Sequence, residues 1–476
     1  MKKVPVSPQE LDSKSRINSF DEVVSCYTEE EALLEAKRCI QCKNPACISG
    51  CPVGIDIKKF IAQITEKDYK AAYLTIREKN NFPSMCGRVC PAEYQCRKAC
   101  VFTKKGEPFA SLNAINIHFL ERFVGDWGIK NIKNQKFNIK NQNEKRVAVV
   151  GSGPAGLCCA GELAKAGIKV TIFEGLHKTG GVLSYGIPPF RLPQDTLHVE
   201  IEYLKNLGVE IIPNFLVGKM KTLDEFFADG FSAIFLGLGA GTPSFMNIPG
   251  ENLCNVYSAN EFLTRVNLMS AYKFPEYQTP VNVGGSVVVI GGGNTAMDAA
   301  RTGLRLQKMN GIKPNVKIYY RRTEVEMPAR RLEIHHAKEE GVDFNLLTQP
   351  VAFTGDQEGR VVSIKSLRCE LGEPDASGRR RPVAIKGSEF ESPCEVAIVA
   401  IGLRANELLT KVTPSIKLDK WGDIAVNTET METSVKNVYA GGDIVGGEGT
   451  VIEAMGMAKT AARSIVKTLF EKKSHY

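Results

Sequence analysis

Residues 146–174 read RVAVVGSGPAGLCCAGELAKAGIKVTIFE, and this stretch decides the fold. An apolar run, Arg146–Val150, leads directly into a glycine-rich loop, and a helical pattern follows over Ala155–Ala166. A second apolar run, Lys169–Phe173, completes the stretch. Strand, glycine loop, helix and strand in this order are typical of a Rossmann-type unit, in which helices connect parallel strands. The stretch therefore predicts an α/β fold with a dinucleotide-binding site.

The glycine loop has the spacing that a bound pyrophosphate requires. The first glycine allows a tight turn, the second lets the backbone approach the ligand, and the third permits close packing of helix on strand. The pyrophosphate would lie at the positive helix N-terminus, and an acid at the end of the second strand could bind the adenosine ribose. The alternative is a glycine-rich turn without a ligand. The predicted binding residues are Gly151, Gly153, Pro154, Ala155, Gly156 and Glu174.

The same order of elements recurs about 140 residues later in the chain. Strand Ser286–Ile290 precedes the loop GGGNTA, a helix is expected over Ala296–Leu306, and Val316–Tyr320 is the next strand. Two arginines follow it where an NAD-specific unit would carry an acid, and guanidinium groups could bind a 2′-phosphate. We therefore expect NADPH here, although a solvated strand end is the alternative. The predicted binding residues are Gly291, Gly293, Asn294, Thr295, Arg321 and Arg322.

Two dinucleotide units predict two nucleotides. Two pyridine nucleotides at separate sites could not exchange a hydride without a carrier, whereas FAD in the first unit accepts a hydride and releases single electrons. A second glycine-rich stretch, Gly180–Pro188, suits a bulky isoalloxazine ring better than nicotinamide. Asp298, inside the second helix, is expected to serve packing or capping.

The C-terminal part returns to the strand and helix pattern. Strand Val438–Ala440 ends in a turn containing Gly442 and Asp443, and a helix is expected over Thr450–Leu469. The carboxylate could bind ribityl hydroxyls, and the helix N-terminus at Thr450 and Val451 could stabilise negative charge on a reduced flavin. An ordinary turn followed by an amphipathic helix is the alternative.

Eight of the fourteen cysteines lie between Cys39 and Cys100. Their patterns are C-x2-C-x4-C-x3-C-P and C-x3-C-P-x4-C-x3-C. A [4Fe–4S] cluster usually takes four thiolates, and in bacterial ferredoxin runs the fourth cysteine ligates the other cluster. We therefore expect two neighbouring clusters. Structural zinc is the alternative, but Cys39 and Cys42 form the sole CxxC, and the second nucleotide unit lacks the CxxC of a dithiol relay.

Length and charge limit the remaining possibilities. The 476 residues are enough for about three domains. The net charge of +8 could favour an acidic partner, but the lysines are spread along the chain and do not indicate nucleic acid. The apolar runs are far shorter than the roughly 20 residues of a membrane helix, and Met1–Glu10 lacks a signal region. We expect a cytoplasmic protein with reduced cysteines and no membrane partner.

Helices are expected over Glu29–Arg38, Ile57–Lys79 and Ile115–Phe123, the second with an apolar face that includes Phe60, Ile64, Ala71, Ala72 and Leu74. Lys130–Lys145 is rich in Asn and Lys and is interpreted as a surface linker rather than a nucleic-acid arm. The predicted domains are a helical iron–sulfur domain (1–128), a linker (129–145), an FAD domain in two parts (146–283 and 401–476) and an NADPH domain (284–400).

Taken together, six stretches resemble the small (beta) subunit of NADPH-dependent glutamate synthase. They are Cys39–Cys100, the GSGPAG loop, Tyr185–Pro188, the GGGNTAMD segment, Tyr320–Thr323 with Met327–Arg330, and Ala440–Asp443. Relatives of the same architecture are the large subunit of NADH-dependent ferredoxin:NADP oxidoreductase, sulfide dehydrogenase subunits and the N-terminal half of dihydropyrimidine dehydrogenase. The resemblance implies FAD on the first unit, NADPH on the second and two [4Fe–4S] clusters.

The resemblance also implies the cluster ligands. Site A would consist of Cys39, Cys42, Cys47 and Cys100, and site B of Cys51, Cys90, Cys96 and Glu121, which lies in the stretch LERF. The sequence departs from the family pattern just upstream, over Phe109–Ala114, and Cys86 is the alternative fourth ligand of site B. Gly181, Val182 and Arg191 are further expected cofactor-binding residues.

Three functions agree with these features. The resemblance implies that NADPH supplies electrons that pass through FAD and the clusters to a large glutamate synthase-type subunit. A ferredoxin or flavin/iron–sulfur partner subunit would instead indicate an electron-bifurcating transhydrogenase or a sulfide dehydrogenase. A redox-sensing scaffold is the non-enzymatic alternative, against which the intact glycine loops argue. Met1-Lys2 offers no N-terminal cysteine, so we expect no glutamine hydrolysis by that route.

Overall fold

The computed structural model describes residues 4–132, 144–375, 378–447 and 449–470. Most of the predicted linker, residues 133–143, lies outside this range. The helix before it continues to Asn131, beyond the boundary predicted at residue 128. Within the described residues, no helix combines the length and apolar character needed to cross a bilayer.

The N-terminal unit is helical. Its helices are α1 (Ser13–Arg16), α2 (Glu29–Ala36), α3 (Ala46–Ser49), α4 (Ile57–Thr65), α5 (Tyr69–Arg77), α6 (Pro83–Val89) and α7 (Ile117–Asn131). The helix predicted over residues 57–79 is two helices, because Lys67 adopts a left-handed φ of 61° and Asp68 caps α5 by accepting from the Ala71 N–H. The turn leaves Leu74 44% exposed, so its predicted place on the apolar face is wrong.

The first α/β unit has a parallel five-stranded sheet in the order β16-β4-β1-β2-β3. The strands β1 and β2 have the predicted bounds, and β16 returns from the C-terminal part of the chain to pair with β4. The elements are β1 (Arg146–Val150), α8 (Pro154–Lys165), β2 (Lys169–Phe173), α9 (Val182–Tyr185), α10 (Gln194–Asn206), β3 (Glu210–Ile212), α11 (Leu223–Ala228), β4 (Ala233–Leu236), β16 (Val438–Ala440), α16 (Asp443–Gly446) and α17 (Val451–Phe470).

The second α/β unit repeats the plan, with the strand order β6-β14-β7-β8-β9. Because β6 pairs with β14, this sheet takes in residues 256–258, which precede the boundary predicted at residue 284. The elements are β6 (Val256–Ser258), α12 (Ala259–Leu263), β7 (Val287–Ile290), α13 (Asn294–Met309), β8 (Val316–Tyr320), α14 (Arg331–Glu339), β9 (Asp343–Leu346) and β14 (Val396–Val399).

An antiparallel sheet that the sequence patterns did not predict is inserted between β9 and β14. It consists of β10 (Thr348–Gly355), β11 (Val361–Pro374), β12 (Arg380–Ala384) and β13 (Phe390–Pro393). A separate two-stranded ribbon pairs β5 (Ala240–Pro243) with β15 (Leu403–Ala405), and the short helix α15 (Leu408–Val412) follows it. The ribbon lies where the chain leaves the first unit and where it returns, so both connections between the α/β units run together.

The helical unit and the first α/β unit share one core. Phe60 and Phe82 of the helical unit belong to the same buried cluster as Leu157 of α8 and Met455 of α17. The contact is close at Gly456, where a Cβ atom would lie 2.9 Å from the carbonyl oxygen of Pro52. Helix α17 therefore packs against the segment that carries the cysteines as well as against the nucleotide-binding helix.

Candidate functional site

A cavity of about 770 Å³ lies between the two α/β units. It is lined by fifteen of the nineteen predicted nucleotide-binding residues, which come from both glycine loops, the end of β2, the segment 181–191 and the C-terminal return. These residues are Gly151, Gly153, Pro154, Ala155, Glu174, Gly181, Val182, Arg191, Gly293, Asn294, Thr295, Gly442, Asp443, Thr450 and Val451. The other four, Gly156, Gly291, Arg321 and Arg322, lie outside its lining.

The first glycine loop has the geometry that its sequence predicts. Gly151 has a φ of 94°, and a Cβ atom on Gly156 would lie 1.9 Å from the Gly151 carbonyl oxygen, so both are required for folding. Gly153 differs, because nothing lies within 4 Å of where its Cβ would be. It forms the N-cap of α8 and faces the cavity. The open space at a positive helix end fits a dinucleotide pyrophosphate.

Glu174 is held against this loop at the cavity wall. Its carboxylate accepts hydrogen bonds from the Ser152 N–H (2.8 Å), from the Ser152 hydroxyl and from the Leu176 N–H (2.7 Å). The side chain is 6% exposed. The bonds fix the carboxylate beside the pyrophosphate position, where an adenosine ribose would follow. Sequence reasoning missed Ser152, because a serine between two glycines carries no signal of its own.

The C-terminal return brings a second carboxylate to the cavity. Burial raises the pKa of Asp443 to about 6, although it accepts a hydrogen bond from the Gly449 N–H at 3.2 Å. Helix α17 begins beside it at Val451, and the Glu453 carboxylate accepts bonds from the Thr450 N–H (2.9 Å) and hydroxyl (2.7 Å). The return therefore offers a carboxylate and a helix N-terminus to the cavity, an arrangement that fits a bound flavin nucleotide.

The second glycine loop repeats this geometry on the opposite side of the cavity. A Cβ atom on Gly291 would lie 2.2 Å from the Ala400 carbonyl oxygen, whereas around Gly293 there is again open space. Asn294 is already engaged, because its side-chain oxygen accepts from the Arg330 N–H at 2.9 Å. A second dinucleotide therefore fits at the N-terminus of α13.

The two arginines after β8 differ in their surroundings. Arg321 is exposed. Arg322 is buried, donating to the Asp375 carboxylate (2.8 Å) and to the Arg380 carbonyl (2.7 Å) of the inserted sheet. Arg321 is therefore the better placed of the two to bind a 2′-phosphate, while Arg322 anchors the inserted sheet.

Arg191 lines the cavity, but its guanidinium group is engaged by acids. It lies 2.6 Å from Asp298 on α13 and 3.2 Å from Glu333 on α14. Burial lowers the pKa of Arg191, but these two carboxylates outweigh the effect and raise it overall. Arg191 thus links the first unit to the second, and Asp298, which was expected to serve packing or capping, is one partner in this link. The sequence does not show the link, because both partners lie more than about 100 residues further along the chain.

The four cysteines of site A lie together. Burial, followed by the charges of Cys100, Cys39 and Cys42, raises the pKa of Cys47 to about 12. Burial and the neighbouring Cys100 and Cys42 likewise raise the pKa of Cys39. Thiols that oppose one another's ionisation need a bound cation before all four can become ligands, and cluster iron supplies that positive charge.

The predicted members of site B, Cys51, Cys90, Cys96 and Glu121, also lie near one another. Burial, a lowering contribution from the Ile55 backbone and the Glu121 charge together bring the pKa of Cys51 to about 11. The hydrogen bond to Cys86 lowers the pKa of Cys90, but burial and the Glu121 charge raise it overall. Burial, followed by the charges of Cys51 and Glu121, raises the pKa of Cys96. Burial raises the pKa of Glu121 itself to about 8, although Asn80 donates to it at 2.7 Å. The carboxylate is therefore close to all three thiols of the site.

Cys86, the alternative fourth ligand, is placed differently. Its sulfur lies 3.6 Å from the Asn80 side-chain oxygen and 3.7 Å from the Met455 sulfur. The hydrogen bond to Cys90 and burial raise the pKa of Cys86, and the charges of Cys90 and Glu121 add to this effect. Glu121 stays the predicted fourth ligand of site B, with Cys86 as the alternative.

A further group of possible ligand atoms lies apart from the cysteines. Among the residues that the structure describes, Glu10, His336 and Glu339 each offer one ligand atom within 4.8 Å of the others, and Arg16 pairs with both of those acids.

Site B adjoins the nucleotide cavity. Val89 and Pro91, on either side of Cys90, line the cavity. Gln95, next to Cys96, donates to the Thr450 hydroxyl at 3.2 Å. Burial raises the pKa of Cys96, and the charge of Cys47 in site A adds to this effect, so the two thiols lie near each other. Cavity, site B and site A therefore follow one another in space.

Comparison with known families agrees with this arrangement. Residues 16–133 match the model described as dihydropyrimidine dehydrogenase domain II, 4Fe-4S cluster. Residues 145–461, about two thirds of the chain, match the model described as pyridine nucleotide-disulphide oxidoreductase. The chain belongs to the pyridine nucleotide-disulphide oxidoreductase family. The expected α/β fold behind an iron–sulfur domain is confirmed.

Two curated relatives and one solved structure are similar to this chain. The Escherichia coli glutamate synthase [NADPH] small chain is 34% identical over 98% of the chain and 97% of its own length. The Moorella thermoacetica NADP(+)-dependent formate dehydrogenase subunit beta is 38% identical over 88% of the chain and 59% of its own length. Mycobacterium tuberculosis FprA in complex with NADPH shares the fold, with a TM-score of 0.58, 22% identity, and coverage of 69% of this chain and 85% of its own.

The family matches and the geometry together confirm the expected class of activity. The chain is an NADPH-dependent oxidoreductase whose cofactors are FAD, NADPH and [4Fe–4S] clusters. Relatives named as small or beta subunits indicate that it works with a partner subunit.

Proposed function

We propose that the chain is the electron-input subunit of glutamate synthase (NADPH). The observation that carries the proposal is the serial order of nucleotide cavity, site B and site A. This order gives electrons from NADPH a route out of the cavity through the helical unit. The large subunit would use them to form glutamate from 2-oxoglutarate and glutamine.

The chain's own residues bind and orient the reactants. The open helix N-termini at Gly153 and Gly293 hold one pyrophosphate each, on opposite walls of the cavity. Glu174 fixes the ribose of the first nucleotide, and the exposed Arg321 binds the 2′-phosphate of the second. When bound, FAD converts the two-electron chemistry of NADPH into single-electron transfer. Positioning is the main requirement, so no general acid or base is assigned.

Two clusters are proposed, one in each site. Site A is held by Cys39, Cys42, Cys47 and Cys100, and site B by Cys51, Cys90, Cys96 and Glu121. Two observations support this division: the charges of Cys100, Cys39 and Cys42 act on Cys47, and the Glu121 charge acts on Cys51, Cys90 and Cys96. We infer a cytoplasmic location from the cysteine chemistry alone, because these thiols must remain reduced.

A second candidate is an NADPH-linked subunit of another redox complex. The 38% identity to the formate dehydrogenase subunit beta favours it. The cofactor-binding residues would be the same, and only the partner would differ.

The test is anaerobic reconstitution with the large glutamate synthase subunit of the same organism. The proposal predicts glutamate formation that depends on NADPH, 2-oxoglutarate and glutamine, and that is lost in Cys47→Ser. Cys254→Ser is the matched control, because Cys254 is exposed and belongs to neither site. Reduction of ferricyanide by NADPH without glutamate formation would refute the glutamate synthase assignment and favour the second candidate.

A further inference from the structure

Large apolar side chains are exposed around site A. Leu112 is 87% exposed, Ile40 54%, Val101 52% and Phe102 36%. Ile40 lies between the ligands Cys39 and Cys42, and Val101 and Phe102 directly follow Cys100. Isolated apolar side chains are common on protein surfaces, but a group around one site marks a surface for interaction.

The loop that carries Leu112 is held beside the other three side chains. The Ser111 N–H donates to the Thr103 hydroxyl at 3.2 Å, which ties the loop to the segment after Cys100. Arg38, the residue before Cys39, donates to the Asn113 carbonyl at 2.6 Å. Leu112 is thus flanked by two anchored residues, and its exposure is part of the folded arrangement.

The apolar group has a basic rim. Lys43 follows Cys42, Lys98 precedes Cys100, and Lys104 and Lys105 lie in the loop between Phe102 and Leu112; all four are exposed. Within the part of the chain that the structure describes, no carboxylate pairs with them. One exposed acid, Glu107, lies in the same loop, so the rim is strongly positive on balance.

We propose that this surface, Ile40, Val101, Phe102 and Leu112 with the four lysines, is where the large electron-accepting subunit docks. The inference rests on the proposed function. It implies that the matching surface of the large subunit has an apolar centre surrounded by acidic side chains. The positive rim requires acidic complementarity. The apolar centre favours a stable subunit over a transient carrier, because permanent interfaces are the more apolar class. Electron tunnelling weakens steeply with distance, and docking here places the acceptor beside site A.

The test compares two variants of the holoenzyme. Lys104→Glu/Lys105→Glu/Leu112→Ser changes the proposed surface without touching a cluster ligand. Lys420→Glu/Trp421→Ser is the matched control, since Trp421 is 77% exposed and Lys420 lies over its ring, far along the chain from the cysteines. Binding to the purified large subunit is measured by anaerobic sedimentation at about 50 and about 500 mM salt. NADPH-driven reduction of ferricyanide, which needs no partner, is measured for each variant.

The triple variant is expected to weaken binding at least about tenfold at low salt and less at high salt, because rim charges act at long range. The control variant should bind as the wild type does, and all three proteins should reduce ferricyanide equally. Equal binding by all three would overturn the docking surface and leave the proposed function intact. Failure of the wild type to bind the large subunit would overturn the function, and this partner with it. A small soluble ferredoxin that binds here in its place would overturn the choice of a stable subunit.

Discussion

Arg321 and Arg322 are adjacent, yet the structure predicts that only one of them selects NADPH. Arg321 is exposed at the end of β8, whereas Arg322 donates to Asp375 and to the Arg380 carbonyl. The perturbation is Arg321→Ala, with Arg322→Ala as its matched control. Both variants remove one guanidinium group from the same strand end and change the net charge equally. Any difference in their kinetics or stability therefore reflects the different surroundings of the two arginines.

The size of the effect follows from the bonds lost. A hydrogen bond between charged groups contributes about 1.5–3 kcal/mol, which corresponds to roughly a 10- to 150-fold loss of kcat/KM for NADPH. The kcat/KM for NADH, which lacks the 2′-phosphate, should hardly change in Arg321→Ala. Arg322→Ala should keep the preference for NADPH and instead lower the free energy of unfolding by about 1–3 kcal/mol, because two bonds to the inserted sheet are lost.

The assay is steady-state ferricyanide reduction with NADPH and with NADH, together with urea unfolding of each variant. The informative quantity is the ratio of the two kcat/KM values. The reasoning is refuted if Arg321→Ala leaves that ratio unchanged. It is also refuted if Arg322→Ala removes the preference for NADPH while the protein remains as stable as the wild type.

Three further predictions concern the cavity and site B. Gly293→Val should fold normally, because the φ of −89° at Gly293 is ordinary and no atom lies near its Cβ position. The variant should weaken NADPH binding at least about tenfold in a fluorescence titration. Gly291→Val should fail to fold. Burial raises the pKa of Asp443 to about 6, because ionising this carboxyl in the folded, flavin-free protein costs free energy. The contribution of the protonated acid to the free energy of unfolding is complete below about pH 4 and is lost as the pH rises through about 6. Asp443→Asn should therefore stabilise that protein by up to about 3 kcal/mol at pH 7.5 and by about half as much at pH 5, while weakening FAD binding. Equal gains at both pH values in urea unfolding would contradict this. Glu121→Ala should lower bound iron from about eight to about four per chain, and Cys86→Ser should leave it unchanged; the reverse pattern in iron analysis would assign the fourth ligand to Cys86.

The nucleotide-binding core could be predicted from sequence because its signals are local. The strands Arg146–Val150 and Val316–Tyr320 have the predicted bounds, since buried parallel strands are short apolar runs between glycine loops and helices. The positions of Gly153 and Gly293 at open helix N-termini also follow from the spacing within each loop.

The remainder depends on contacts between distant residues. The engagement of Arg322 by Asp375, and of Arg191 by Asp298, joins positions that no local pattern relates. The break at Lys67 requires a left-handed residue that a lysine does not signal. The inserted antiparallel sheet is not part of the Rossmann-type pattern, and its strands pair with one another rather than with the parallel sheet, so the strand and glycine-loop signals did not predict it. Gln95, which connects site B to Thr450, was missed because its partner lies 355 residues further along the chain.

The central claim is that two [4Fe–4S] clusters lie in series beyond the nucleotide cavity. The most direct measurement is the content of iron, acid-labile sulfide and zinc in the anaerobically purified wild-type chain. The account predicts about eight iron and eight sulfide per chain and no stoichiometric zinc. Stoichiometric zinc without iron would contradict the claim, and about four iron per chain would leave only one of the two sites as a cluster.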